Sequence, residues 1–184
     1  VEYRAWVSAL MDYLILVVGR MKKPVIASVQ GYAIAYGAGL VTACDLAVAS
    51  EDALFGVNAI DVGLFCMGPA VPLSRSIGRK RCLQMLMTGE LVDAATAYAW
   101  GLVNQVVPRP MLEESTMKLA RMLAAKSPMA LQMGKQAFYG MSDLEFEKAV
   151  EYSNQVFAAL CTTEDARQGV EAFLKKSVPE WKYR

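Results

Sequence analysis

Hydrophobic residues recur every three or four positions over residues 2–21, which is the period of a helix with one buried face. Three short apolar runs follow and predict buried strands: residues 25–29, 46–50 and 53–56. A glycine-rich turn and a helical stretch, residues 39–44, separate the first run from the second. A strand, a turn, a helix and a strand in this order indicate a βαβ-like unit.

From Pro69 onward the pattern is mostly helical. Periodic segments predict helices over residues 71–77, 79–87, 93–100, 111–125 and 128–139, and a strand over residues 102–107. Ser142–Glu145 has the spacing of a capping box and predicts a long helix that runs to about Leu160. Thr162 or Thr163 could cap a last helix. A strand-rich first half and a helical second half indicate one α/β domain with a helical appendage.

The composition excludes several classes of function. The 184 residues include 19 Lys and Arg against 18 Asp and Glu, so no broad positive field attracts nucleic acid or an anionic membrane. The chain has no histidine, which excludes a Ser-His-Asp triad, a Cys-His dyad and every zinc site that uses histidine. No apolar run approaches the roughly 20 residues of a membrane span, so we expect no membrane partner. Acid–base chemistry therefore falls to Asp, Glu, Tyr, Lys or Cys.

The cysteines and methionines predict a reduced, well-packed interior. No cysteine pair has the C-x-x-C spacing of a zinc or redox motif, so we expect no metal and a cytoplasmic, reducing compartment. The cysteines, which we expect to be buried, are Cys44, Cys66, Cys82 and Cys161. The methionines expected to fill the core are Met67, Met85, Met87, Met117, Met122 and Met133. The chain starts inside an amphipathic segment without a signal peptide or an initiator Met, so we expect it to be cut at its start.

The segment Gln30–Leu40 is the most unusual in the chain, because small residues and glycines run directly into a predicted helix. Small side chains let a ligand approach the backbone, and the free N–H groups of a helix N-terminus can bind a negative oxygen. The segment matches neither G-x-G-x-x-G nor a Walker A loop. Composition alone leaves two readings open, an oxyanion hole and a tight strand-to-helix turn packed on a core.

The stretch Lys23–Asp45 resembles the signature of the enoyl-CoA hydratase/isomerase (crotonase) family. Further matches follow in family order at Phe55-Gly56, Val62-Gly63-Leu64, Thr88-Gly89, Gly101-Leu102-Val103 and Gly169–Lys176. The resemblance implies an α/β fold with a crotonase-like ββα spiral core over residues 1–110, whose N-terminal part is missing. It also implies a C-terminal helical region over residues 111–184 that forms trimers and covers the pocket. We therefore expect a homotrimer or a hexamer.

Members of this family bind an acyl-CoA thioester and stabilise its enolate with two backbone N–H groups. By position, the resemblance places one donor at Tyr36, with Ala35 and Gly37 beside it, and the other donor upstream of Val1. Coenzyme A enters as part of the substrate, and no further cofactor is implied.

The residues that depart from the family pattern change the expected chemistry. The resemblance places the two hydratase glutamates at Gly39 and Ala59, and a further family carboxylate near Met67, and none of these side chains transfers a proton. We therefore expect no two-glutamate hydration. The ionisable residues nearest in sequence are Asp61, a base or a structural cap, and Cys66, a nucleophile or a buried apolar group. The phenol of Tyr36 could enter the pocket or pack between subunits.

Phe173 and Lys176 match family positions that meet the adenine and phosphate of CoA, although a packed Phe beside a solvated Lys would look the same in sequence. The resemblance and the departures together predict an acyl-CoA enzyme that relies on enolate stabilisation. Decarboxylation of a malonyl-type CoA or a double-bond shift fits better than hydration. The alternative from another class is a catalytically degenerate subunit that binds acyl-CoA or serves assembly.

Overall fold

Short strands alternate with helices in the first part of the chain, and helices alone follow Leu112. The structure, a computed structural model, describes residues 2–11 and 15–184. Its strands are β1 (Ile26–Val29), β2 (Tyr32–Ile34), β3 (Leu46–Ser50), β4 (Leu54–Gly56), β5 (Val92–Asp93) and β6 (Gln105–Val107). Its helices are α1 (Glu2–Met11), α2 (Val17–Arg20), α3 (Tyr36–Ala43), α4 (Met67–Ile77), α5 (Arg79–Thr88), α6 (Ala94–Trp100), α7 (Leu112–Ala124), α8 (Pro128–Met141), α9 (Phe146–Cys161) and α10 (Glu164–Lys175). Two 3-10 helices lie at Asn58–Val62 and Arg109–Met111.

The described residues fall into two compact units. The strand-containing unit comprises the described part of residues 1–19 together with residues 25–119, and the helical unit comprises residues 20–24 and 120–184. The predicted boundary between residues 110 and 111 stays a prediction about the family's core and its helical region.

Two three-stranded sheets form the strand-containing unit. In the first sheet β3 lies between β1 and β6 and pairs with both in parallel, with Val29 opposite Ala49 and Ser50 opposite Val107. In the second, β4 pairs in parallel with β2 and antiparallel with β5. The central strand β3 is apolar and buried on both faces, as expected for a strand in a covered parallel sheet. The β1–α3–β3 connection is the predicted βαβ-like unit, with β2 added between β1 and α3.

The core of the strand-containing unit lies between the sheets and α3–α6. Its largest fully buried side chains are Phe55, Leu73, Met85, Val48 and Val57. Side chains at the ends of the first sheet accept hydrogen bonds from backbone N–H groups. Asp45 Oδ2 accepts from Val25 N at 2.6 Å. Asn104 Oδ1 accepts from Ala47 N at 2.8 Å. These contacts hold the start of β1 against the start of β3, which directly follows α3.

In the helical unit, a buried carboxylate ties the C-terminal segment to the helices. Asp165, on α10, accepts hydrogen bonds from Ser127 Oγ at 2.6 Å, Lys182 N at 2.6 Å and Tyr183 N at 3.0 Å. Trp181 Nε1 donates to Ala125 O at 2.9 Å. Residues 181–184 are therefore held against the helices by several directed contacts, although no regular secondary structure forms there.

Several predicted element ends are wrong, each for a local reason. Helix α9 begins at Phe146 and not at Ser142, because α8 extends to Met141 and Ser142 closes it by donating its Oγ to Phe138 O at 2.6 Å. Helix α4 begins at Met67, since a proline in a first helical turn loses no intrahelical hydrogen bond. Thr163, and not Thr162, caps α10 by accepting from Ala166 N at 3.1 Å.

The predicted interior also needs correction. Of the methionines expected in the core, Met85 is buried and Met133 is half-buried, whereas Met67, Met87, Met117 and Met122 are exposed. Cys66 and Cys82 are buried as predicted, but Cys44 is only half-buried and Cys161 is exposed. None of the four cysteines forms a disulfide bond. Unbranched methionines tolerate exposure on helices such as α7, where the sequence period alone does not tell how deep a face is buried.

Candidate functional site

The turn between β2 and α3 has the least common backbone geometry in the predicted site. Ala35, which separates the two elements, has φ 51° and ψ −112°, a conformation that residues with a Cβ rarely adopt. Its N–H donates to Gly56 O at 2.8 Å, and its carbonyl accepts from Gly39 N at 3.1 Å. The strand β4 and the first turn of α3 therefore hold Ala35 in a strained conformation.

The start of α3 offers backbone donors. The first intrahelical hydrogen bond is the one donated by Gly39, so the N–H groups of Tyr36, Gly37 and Ala38 precede the ladder. Ala35, the N-cap residue, makes no side-chain cap. Gly37 is exposed, and a Cβ there would meet no atom within 4 Å. These donors and the positive end of the helix dipole suit a negative oxygen.

Gly39 is buried against α4. A Cβ placed on Gly39 would lie 3.1 Å from Pro69 Cβ and 3.2 Å from Pro69 Cα, closer than side chains normally pack. Pro69 is itself fully buried, and α3 and α4 pack closely. Any side chain at position 39 would therefore push α4 away from α3.

The side chain of Tyr36 points inward. Its hydroxyl oxygen is inaccessible to solvent and has no hydrogen-bond partner among the residues that the structure describes. Burial raises the pKa of the Tyr36 phenol above its ordinary value. The electrostatic influence of Cys66, which becomes negatively charged as a thiolate, raises this pKa further. The phenol is therefore protonated at neutral pH and available as a hydrogen-bond donor.

The 3-10 helix at residues 58–62 carries two of the predicted site residues. Ala59 is half-buried and packs on the core of the strand-containing unit. Asp61 is exposed, and its carboxylate lies against Gly89, where a Cβ would be 2.7 Å from Asp61 Oδ1. Gly89 ends α5 with φ 70°. The Asp61 carboxylate therefore lies near the C-terminal end of α5.

The loop before α4 is apolar and open. Cys66 is buried in the core cluster and precedes α4, whereas Met67 is 70% exposed at the first position of the helix. Three further apolar residues of this segment, Val62, Leu64 and Phe65, are exposed as well. Exposed apolar side chains therefore flank the buried Cys66 along the chain.

Phe173 and Lys176 lie in the helical unit. Phe173 is 83% exposed on α10, and Lys176 is exposed and ends that helix with φ 53°. Within the part of the chain that the structure describes, the ring of Phe173 is therefore largely uncovered. What these two side chains bind stays a prediction.

Among the sequence-predicted residues, Ala35, Tyr36, Gly37 and Gly39 lie in one turn and the first turn of α3, and Cys66 is near enough to influence the pKa of Tyr36. Sequence reasoning missed the part played by Pro69 and Gly89, which fill the space next to Gly39 and Asp61. Their only signal in the sequence is their residue type, which predicts turns and says nothing about which side chain they will meet.

Within residues 2–11 and 15–184, no group of three Cys, Asp or Glu side chains is arranged to hold a metal ion. In the same residues no helix combines the length and the apolar character that crossing a membrane requires.

The comparisons with known proteins agree with the fold. The protein "enoyl-CoA hydratase domain-containing protein 3, mitochondrial" of Mus musculus is 35% identical over 182 residues, which are 99% of this chain and 61% of that protein. The 2,3-dehydroadipyl-CoA hydratase of Escherichia coli (strain K12) is 37% identical over 163 residues, 88% of this chain and 64% of that protein. The chain therefore spans less than two thirds of the length of these curated relatives.

The solved structures extend the agreement to three dimensions. A crystal structure of an enoyl-CoA hydratase from Mycobacterium smegmatis has a TM-score of 0.94 at 42% identity, over 98% of this chain and 70% of that one. This likeness confirms the crotonase-like α/β fold with C-terminal helices. The family model described as "Enoyl-CoA hydratase/isomerase" matches residues 4–184. With a match of that extent, the chain belongs to the enoyl-CoA hydratase/isomerase family.

Proposed function

We propose that this chain carries the thioester-binding turn of an acyl-CoA enzyme and that the backbone N–H of Tyr36 is one of two donors to the thioester oxygen. The single observation that carries the proposal is the strained Ala35 at the start of α3. A non-glycine residue keeps such a conformation only where its surroundings enforce it, and such residues cluster at functional sites. The second donor implied by the resemblance lies outside the 184 residues.

The chemistry follows from where negative charge develops. Removing a proton or a carboxylate next to a thioester carbonyl sends an electron pair onto the carbonyl oxygen. Donors that are already in place stabilise that oxygen without reorganising, and one such donor contributes about 2.7–4 kcal/mol in other enzymes. The early N–H groups of α3 supply such donors, held by Gly56 and by the helix itself.

The geometry disfavours a hydration mechanism that uses two carboxylates. Positions 39 and 59, where the resemblance places them, hold glycine and alanine. The close approach of Pro69 leaves no room for a longer side chain at position 39 without movement of α4. The carboxylate of Asp61 lies against Gly89, and both of its proposed roles, a base and a structural cap, stay open. Cys66 is buried in the core, which supports the apolar reading of this thiol.

Two candidate activities remain within this proposal. An enolate-only reaction, such as decarboxylation of a malonyl-type CoA or a double-bond shift, uses the donors at α3 and needs no carboxylate at residues 39 and 59. The candidate from another class is a subunit that binds acyl-CoA without turnover, and the same absence of ionisable side chains at those two positions favours it. Coenzyme A is part of the ligand in both cases, and we propose no separate cofactor.

The experiment is to incubate the full-length protein with enoyl-CoA and malonyl-type CoA thioesters and to identify products by mass spectrometry. Loss of carbon dioxide or a shifted double bond supports enolate-only catalysis. A water adduct formed well above the uncatalysed rate contradicts the argument from Gly39 and Ala59. Tight binding without product favours the binding subunit. If the protein neither binds a thioester nor forms a product, the proposal is refuted.

We further propose a homotrimer or hexamer in a reducing, cytoplasmic compartment. Exposed apolar side chains on α9 and α10, among them Phe146, Phe157 and Phe173, support assembly through the helical unit. The free thiols support a reducing compartment. The name of the mouse relative says that it is mitochondrial, so the compartment must be tested directly. Light scattering of the purified protein and imaging of a tagged copy in its natural cell are the two measurements.

A further inference from the structure

The positive charges of the strand-containing unit are unevenly distributed along the chain. Residues 24–108 contain four Lys or Arg residues, and all of them lie within seven positions. Residues 62–89 contain no Asp or Glu. The net charge of +1 predicts no anionic partner, but it averages over the whole chain and hides this local excess of positive charge. We call the four residues the basic cluster: Arg75, Arg79, Lys80 and Arg81.

The basic cluster is exposed and lies where two helices meet. Arg75 is in the last turn of α4, and the other three residues form the first turn of α5. Arg81 is anchored, because its guanidinium lies 5.6 Å from the centroid of the Trp100 ring and its Nη1 donates to Trp100 O at 3.4 Å. Among the residues that the structure describes, Arg79 and Lys80 have no carboxylate partner.

Three cations in the first turn of α5 are electrostatically unfavourable within the chain. The N-terminus of a helix carries a partial positive charge, so Asp and Glu are favoured there and Lys and Arg are not. Helix α5 has no acidic residue in its first turn, and its N-cap residue, Gly78, provides no side-chain cap. An anionic surface facing the basic cluster would relieve this repulsion.

The exposed stripe of α4 that ends at Arg75 is apolar at its other end. Met67, Val71 and Arg75 follow one another at intervals of four residues and therefore lie on one side of the helix. Met67 is 70% exposed and Val71 is 52% exposed. The guanidinium of Arg75 lies back along this stripe, since its Nη1 donates to Val71 O at 3.2 Å. Exposed side chains of the preceding loop extend the stripe, and together they form what we call the apolar segment: Val62, Leu64, Phe65, Met67 and Val71.

The spacing of the apolar segment and the basic cluster suits a lipid bilayer. An α-helix rises about 1.5 Å per residue, so Met67 and Arg75 are separated by about 12 Å along α4. A bilayer offers a similar succession, because its hydrocarbon lies under a charged headgroup layer about 5–8 Å thick. Aliphatic side chains with cations beside them are typical of segments that lie in the interface of an anionic membrane. Nucleic acid would contact the cations and leave the aliphatic side chains in water.

We propose that the apolar segment and the basic cluster together form a docking surface for an anionic lipid membrane, to which the protein binds peripherally. The aliphatic side chains enter the interface, and the cations meet the lipid headgroups. This inference goes beyond the proposed function and does not depend on it, because no residue of the α3 turn takes part.

The test is sedimentation of the full-length protein with lipid vesicles at low and at physiological salt. One set of vesicles contains phosphatidylcholine alone, and the other contains equal parts of phosphatidylcholine and phosphatidylserine. Arg79→Gln/Lys80→Gln removes two cations of the basic cluster. The matched control is Lys118→Gln/Lys126→Gln, which makes the same change in net charge at two other exposed lysines.

A second pair of variants tests the apolar segment. Leu64→Ser removes an aliphatic side chain that is 66% exposed, and its control, Met122→Ser, removes one that is 57% exposed on α7. The urea midpoints of all four variants should stay close to that of the wild type, because the replaced side chains are exposed. A loss of vesicle binding at an unchanged midpoint is therefore not due to unfolding.

We expect the wild type to bind the vesicles that contain phosphatidylserine far more tightly than those of phosphatidylcholine alone, and higher salt to weaken this binding. Each cation near an anionic membrane changes the partition coefficient about fivefold, so Arg79→Gln/Lys80→Gln should lower it about 25-fold. Leu64→Ser should lower it about fivefold, because an aliphatic side chain is lost from the interface. Each control should change it by less than about twofold.

Several results would overturn the inference. The wild type would bind neither kind of vesicle, or bind both equally, or each variant would lose no more binding than its control. A DNA duplex assayed in parallel tests the other class of anionic partner. If the duplex binds, Arg79→Gln/Lys80→Gln weakens that binding, and the vesicles do not sediment the protein, then the basic cluster serves nucleic acid and the inference is wrong. None of these results bears on the proposed function, which is tested with thioesters.

Discussion

Replacing Asp165 by alanine should release the C-terminal segment from the helical unit. The carboxylate is 1% exposed and accepts hydrogen bonds from Ser127 Oγ, Lys182 N and Tyr183 N, all between 2.6 and 3.0 Å. Alanine offers no acceptor, so all of these donors lose their partner at once. Asparagine keeps one oxygen and presents an amide N–H₂ where the other oxygen was, so it should be the milder substitution.

The size of the effect follows from the hydrogen bonds. A bond to a charged group contributes about 1.5–3 kcal/mol, and a buried donor without an acceptor costs about 1–3 kcal/mol. The two backbone donors at residues 182 and 183 can be hydrated once the segment detaches, whereas Ser127 stays buried. We therefore expect Asp165→Ala to lower the free energy of unfolding by about 3–4 kcal/mol and Asp165→Asn by about 2 kcal/mol.

The effect should depend on pH. Burial raises the pKa of Asp165, but hydrogen bonds from Ser127 and from the backbone N–H groups of Lys182, Tyr183 and Met129 outweigh it and leave the pKa below its ordinary value. An unfolded aspartate titrates near a pKa of about 3.9. Because the folded pKa is lower, the stabilisation is complete above about pH 4 and is lost as the pH falls through the folded pKa. The difference in stability between wild type and Asp165→Asn should shrink accordingly.

The assay is urea unfolding followed by circular dichroism from pH 7 down to pH 3, with carboxypeptidase digestion to report release of residues 181–184. Glu171→Gln is the matched control, since it removes an exposed carboxylate on the same helix that pairs with Lys175 at 3.5 Å. It should leave the urea midpoint unchanged. If Asp165→Ala unfolds at the same urea concentration as Glu171→Gln, the reasoning is refuted.

Four further substitutions test the local geometry by urea midpoint. Ala35→Gly should stabilise the protein by about 1 kcal/mol, because the φ and ψ of Ala35 match those of the first central residue of a type II′ turn, where glycine dominates. A lower urea midpoint for this variant would show that Ala35 is not strained. Gly37→Ala should be more stable than Gly39→Ala by about 1 kcal/mol or more, since only the second new Cβ meets Pro69, and equal midpoints would contradict the contact. Thr163→Ala removes the cap of α10 and should cost about 1 kcal/mol, whereas an unchanged midpoint would argue against the cap.

The sequence pattern predicts the elements best where a burial period and a stop signal coincide. Strand β3 matches its predicted range because both of its ends are marked by polar residues and both of its faces are buried. Strand β2 was missed, since residues 32–34 lie inside a glycine-rich segment whose composition favours a turn. Strand β5, with two residues, has no period to detect and exists because it pairs with β4.

The sequence predicts which residues form the candidate site, but it does not predict their backbone angles or their exposure. The residues of the α3 turn follow from the family signature, but the positive φ of Ala35 depends on the hydrogen bond to Gly56, which is distant in sequence. The exposure of Met67 depends on where α4 begins. The burial of the Tyr36 hydroxyl oxygen depends on how the whole unit packs around α3. Local periodicity carries none of these tertiary contacts.

The glycine at position 39 and the packing of α4 on α3 are linked. Pro69 Cβ lies 3.1 Å from where a Cβ of residue 39 would be, so a proline at 69 and a side chain at 39 compete for the same space. A proline cannot withdraw by changing rotamer, because its ring is fixed to the backbone. A side chain at residue 39 would therefore require α4 to shift by a few tenths of an ångström. Under the proposed function, this contact favours chemistry that uses the donors at the start of α3 and no carboxylate at residue 39.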